Sequence, residues 1–129
     1  MPLIAFRPEY QLTAEPAQNR LLYTVFAEMQ AAPALPHFLA DWAAALAAVQ
    51  PGFTILTNVV ALTTSNVALQ ADFVAAQQLI VARRVAMVAE IHRPDSPTHN
   101  ASAEISTASG MPVRTFLDAW EADRFLDGL

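Results

Sequence analysis

The chain has no cysteine, no lysine and only three glycines in 129 residues. Each shortage removes a class of chemistry. Without Cys there is no thiol nucleophile, thiolate zinc site, redox pair or disulfide. Without Lys there is neither a Schiff base nor a Walker-type phosphate loop. So few Gly do not write a glycine-rich dinucleotide turn. Charge is scarce too: 15% of residues carry it, and the formal net charge is −5. Binding to phosphates needs clustered cations. The only adjacent basic pair is Arg83-Arg84, which reads as a helix C-terminus complementing the dipole, so no nucleic-acid partner is expected. No apolar run approaches the roughly 18 residues of a membrane span. The start, Met1 to Arg7, lacks the basic opening and the length of a signal peptide. A cytoplasmic protein without a membrane span is the expectation.

What is present is apolar. Hydrophobic residues make up 54% of the chain, and the mean hydropathy is +0.31. Alanine alone is roughly a fifth of the sequence, well above average usage. The length suits a single domain, 1–129, with a core that needs no metal or disulfide staple. With so few charges to cover the outside, apolar surface is left over for a partner.

The pattern along the chain is α/β. Tyr10 to Thr13 alternates as a short strand, Pro16 to Asn19 is a turn, and Arg20 to Ala27 is a strand apolar on both faces, hence central. Helix one runs from Pro36 to Val49, with Leu35, Leu39, Trp42, Leu46 and Val49 as its stripe. His37 and Asp41 lie four apart as a solvated pair. Pro51-Gly52 stops this helix, and Phe53 to Leu62 follows as a buried strand. Thr63-Thr64-Ser65-Asn66 is a polar break, with Ser65 as the N-cap of helix two. Leu69, Phe73, Ala76 and Ile80 form that helix's core stripe, and Val67, Val74 and Val81 a second, so it is apolar over a wide arc. Such a helix is deeply buried or packs on another subunit.

Val85 to Ile91 is a further buried strand. Helix three runs from a Ser96-Pro97 start to Ser109, ending at Gly110, with a thin apolar content that places it on the surface. Val113 to Phe116 is the last strand. Asp118 with Glu121 forms a capping box for a final helix whose Ala122, Phe125 and Leu126 face inward. The expected order is β-β-α-β-α-β-α-β-α, a mixed four- to five-stranded sheet with four helices and right-handed crossovers.

Candidate chemistry is sparse. His92, Asp95 and His99 are the only metal-type cluster, without zincin spacing, and read as polar loop residues. No Gly-x-Ser-x-Gly elbow exists. Glu90 is the only acid in the central strands and reads as an edge or strand-end position. No catalytic residue, metal or cofactor is therefore expected, and the protein is not expected to be an enzyme.

The hairpin before helix one, the stretch Pro51-Gly52-Phe53-Thr54-Ile55-Leu56-Thr57-Asn58, and the closing stretch from Phe116 to Leu126 together resemble the STAS-like domains. These are the domains of sulphate transporters and anti-sigma-factor antagonists. The resemblance covers about Tyr10 to Leu126. It implies a non-catalytic interaction or regulatory module with a regulatory protein partner, and the apolar arc of helix two adds the expectation of a homodimer. Regulatory members carry an Asp-Ser-Ser-Gly-like element whose Ser is phosphorylated. Here that place reads Thr63-Thr64-Ser65-Asn66, making Ser65 and Thr64 candidate phosphoacceptors, with the cap reading of Ser65 preferred. Asn58 stands where many relatives carry Asp. The alternative expectation is a binder of an apolar small molecule or lipid, in a cavity between helices and sheet that helix two would line.

Overall fold

A computed structural model describes residues 2–64, 66–93 and 110–129. Six strands form one sheet: β1 (Leu3–Phe6), β2 (Tyr10–Glu15), β3 (Arg20–Val25), β4 (Thr54–Asn58), β5 (Met87–Ile91) and β6 (Val113–Phe116). Three α-helices stand among the described residues: α1 (Phe38–Ala47), α2 (Gln70–Ala82) and α3 (Ala119–Asp127). Short 3₁₀ turns occupy Pro16–Gln18, Ala27–Ala31 and Val67–Leu69. Spatial order in the sheet equals chain order. β1, β2 and β3 are antiparallel neighbours, and β3 to β6 run parallel.

That order decides where the helices lie. Crossovers of one hand that step the same way along a sheet put their helices on one face, and α1 and α2 pack against each other. Beneath them the main core gathers Tyr10, Leu12, Leu21, Ile55 and Val88 with Phe38, Trp42, Ala76 and Ile80. α3 contacts β4, β5 and β6 around a smaller cluster of Ala89, Ile91, Ala122 and Leu126. The strands at the centre are apolar on both sides because both sides are covered.

Local chemistry explains the joints. Asn19 takes a left-handed conformation (φ 51°) after the Pro16–Gln18 turn. Its amide exchanges two hydrogen bonds with the backbone of Gln50, tying the β2–β3 hairpin to the end of α1. Gly52 supplies a positive φ of 88° where the chain leaves that helix. Asp118 accepts from the amides of Trp120 and Glu121, the expected cap of α3.

Several expectations are corrected. The sheet has six strands, not four or five, because Leu3–Phe6 pairs with β2. This edge strand is four residues long, flanked by Pro2 and Pro8, with Leu3 and Phe6 exposed. α1 is shorter than Pro36 to Val49, and Phe38 rather than Leu39 turns inward. β4 ends at Asn58, whose Oδ1 accepts the Val60 amide and bends the chain. β5 starts at Met87, after Arg84 at φ 68°. Arg83 stands at the C-cap of α2, as expected, and its Nε and Nη2 also donate to the carbonyls of Leu46 and Val49, at 3.2 Å each, at the end of α1. Val67, expected in a buried arc, is 77% exposed. The expected helix three, Ser96 to Ser109, lies outside the described residues, as do Ser65, Asp95 and His99. No helix among the described residues is long and apolar enough to cross a membrane.

Candidate functional site

Register brings together residues that are far apart in the chain. Tyr23, Thr57, Glu90 and Thr115 occupy one rung across β3, β4, β5 and β6. The rung before it, Leu21, Ile55, Val88 and Val113, is wholly apolar. Since side chains alternate with period two, both rungs face α1 and α2. Above the polar rung the helices do not meet the sheet. Phe38 and Trp42 of α1, Phe73, Ala76 and Ile80 of α2, and the strand residues beneath them enclose a cavity of about 350 Å³.

The gap follows from side-chain choice. On its inward face α2 presents a small residue, Ala76, to this cavity. The aromatic residues pack on one another instead of filling the space. Tyr23 meets Trp42 at 5.0 Å and 71°, Tyr10 meets Phe38 at 5.3 Å and 81°, and Phe38 meets Phe73 at 5.8 Å and 70°. These are edge-to-face contacts, the arrangement that the ring quadrupoles favour. Trp42 Nε1 is buried and has no hydrogen-bond acceptor among the described residues.

The polar groups sit along the floor. Glu90 and His92 project on the same side of β5, with His92 Nε2 at 2.9 Å from Glu90 Oε1. They are 5% and 2% exposed. Glu90 is the penultimate residue of β5 and so near a strand end, as expected, but it is not at a sheet edge: β5 lies between β4 and β6, and Glu90 lines the cavity. Thr57 is buried beside it. Burial first, then the proximity of Tyr10 and of the Glu90 carboxylate, pushes the Tyr23 phenol far above its ordinary range, so it remains a hydrogen-bond donor. Among the described residues no group of three His, Asp or Glu gathers to hold a metal ion.

Two other expected positions fall elsewhere. Asp41 is buried, not solvated. It accepts a bidentate pair from Arg7 Nε and Nη2, both at 3.0 Å, and a further bond from the Tyr10 hydroxyl. Burial by itself raises this carboxyl's pKa, but the hydrogen bonds from Arg7 and Tyr10 and the Arg7 charge outweigh it and hold it below its ordinary value. The cluster clamps the β1–β2 arm to α1 and does not line the cavity. Thr64 is exposed at the cavity's rim, where Gln30 Oε1 accepts its amide at 2.8 Å. It precedes a 3₁₀ turn, so it does not occupy the first turn of an α-helix.

No family model, no curated protein and no solved structure matches this chain. The site's chemistry is therefore read from its own atoms. An apolar chamber with a carboxylate, an imidazole, a hydroxyl and a phenol on one wall can enclose a small molecule and orient it by one polar end. Tyr23, Thr57 and Glu90 escaped the sequence reading as a set. Each follows a buried aliphatic residue by two positions, but only strand alignment puts the three in one row.

Proposed function

We propose that this domain binds a small, largely apolar molecule in the cavity between the α1–α2 layer and β3 to β5. The observation that supports this most is the size of the gap. The gap of about 350 Å³ opens to solvent at its Thr64 and Val67 rim, so an apolar occupant would bury apolar wall surface that otherwise faces solvent. The chamber also falls at the lower end of the volumes typical of ligand pockets, with mostly apolar walls and a few convergent polar groups. The test is native mass spectrometry of gently purified protein: a mass excess of one small organic molecule per chain, lost on denaturation, is expected. A clean apo mass, together with no thermal shift from any apolar compound of that size, overturns the reading.

A second reading is the interaction module that the STAS-like resemblance implies, with a regulatory partner and with Thr64 or Ser65 as phosphoacceptor, joined to the homodimer expected from helix two. Its support in the structure is the pair Leu117 and Trp120 at the β6–α3 junction, 66% and 65% exposed, which offers apolar surface for a partner.

A further inference from the structure

Trp42 is 2% exposed and lines the cavity, yet its Nε1 has no hydrogen-bond acceptor among the described residues. An indole N–H can only donate, and a buried one usually finds an acceptor. The ionisable groups of the same wall are differently placed. Glu90 and His92 bond to each other at 2.9 Å, and each has a further interaction. A donor on a ligand would have to compete with those contacts. An acceptor would instead meet an N–H that the protein leaves open. Tyr23, whose ring touches that of Trp42 at 5.0 Å, brings a phenol hydroxyl to the same wall.

Resting on the cavity reading above, we infer that Trp42 Nε1 is the hydrogen-bond donor to the ligand, an apolar molecule carrying a carbonyl oxygen. The oxygen lies at the indole edge, and the apolar body lies among Phe38, Phe73, Ala76 and Ile80. A carbonyl oxygen has two lone pairs, so the Tyr23 hydroxyl can share it. Trp42 thereby does two jobs: its ring packs against Tyr23 and Phe38, and its N–H positions the guest. A fused pair of six-membered rings suits a chamber of about 350 Å³.

The probes are 1-tetralone and tetralin, the same fused ring pair with a carbonyl or a methylene at one carbon. Isothermal titration calorimetry measures both on the intact protein and on Trp42→Phe, which keeps an aromatic ring and removes the N–H. The tetralone-to-tetralin affinity ratio is expected to fall by about fivefold or more in the variant, as when a buried hydrogen bond is lost. Taking the ratio cancels the change in packing that both probes share. Circular dichroism checks that the variant is folded. Proton–nitrogen NMR of the wild-type protein gives a second readout, independent of Trp42→Phe. The Trp42 Nε1–H resonance, told from that of exposed Trp120 by Trp120→Phe, is expected to move downfield with tetralone and not with tetralin. If Trp42→Phe does not fold, this resonance decides alone. A ratio unchanged in folded Trp42→Phe, or a resonance that responds alike to both probes, overturns this inference and leaves the cavity reading standing. Failure of both probes to bind wild-type protein counts against the cavity reading itself, and the inference falls with it.

Discussion

At the scale of single residues, the Asp41 cluster shows how position overrides pattern. His37 and Asp41 have the spacing of a solvated helix pair, yet Asp41 turns toward the β1–β2 arm because Arg7 and Tyr10 wait there with three donors. Tyr10 is 1% exposed, and its hydroxyl donates to a charged acceptor. Tyr10→Phe is expected to lower the unfolding free energy by about 1.5–3 kcal/mol, the range for hydrogen bonds to charged groups, measured by urea denaturation. The pH dependence has a definite sign. A carboxyl whose pKa is depressed by folding stabilises the protein above its unfolded value, which for Asp is about 3.9. That contribution is lost as pH falls through the lower, folded value. The urea midpoint should drop below about pH 4, and Asp41→Asn should flatten that drop. A decline as steep in Asp41→Asn as in wild type would mean that other carboxylates dominate acid unfolding.

At the scale of elements, α3 is held by more than its apolar stripe. Arg20, 3% exposed on β3, donates from Nε to Thr54 Oγ1 at 3.0 Å. Its other nitrogens reach Asp123 at 2.8 Å and Asp127 at 2.9 Å, carboxylates that are about half exposed. The guanidinium is a peg between sheet and helix. Arg20→Met keeps most of the stem but removes all three bonds. It is expected to cost about 1–3 kcal/mol, and less than a fully buried pair would because solvent screens the two aspartates. Amide hydrogen exchange should quicken in α3 before it changes in β2 and β3. Uniform quickening across the sheet would count against a local anchor. Arg83 belongs to the same scale: its bonds to Leu46 and Val49 tie the end of α2 to the end of α1.

At the scale of the whole molecule, the cavity is the property that no single element owns. It exists because the α1–α2 layer is carried over β3 to β5 by aromatic contacts, while α2 presents the small residue Ala76 to it. Filling it is therefore expected to stabilise the protein. Ala76→Leu should raise the unfolding free energy by about 0.5–2 kcal/mol, as cavity-filling changes commonly do. Any affinity for small apolar compounds should be lost, both read by thermal denaturation with and without probe. A destabilised Ala76→Leu that still binds them would place the ligand elsewhere.

The sequence alone determined the α/β class, the central strands and most of the inward faces. Apolar periodicity and Pro, Gly and Asp punctuation act within a few residues of each other. Hence β3, the stop at Pro51-Gly52, the α2 stripe of Leu69, Ala76 and Ile80, and the Asp118 cap were legible. β1 was not, because a short exposed edge strand owes its existence to its partner β2. The row of Tyr23, Thr57 and Glu90, the burial of Asp41 and the reach of Arg83 were decided only by tertiary structure. Each depends on strand register or on a contact spanning more than 30 positions, set by which surfaces meet when the layers close.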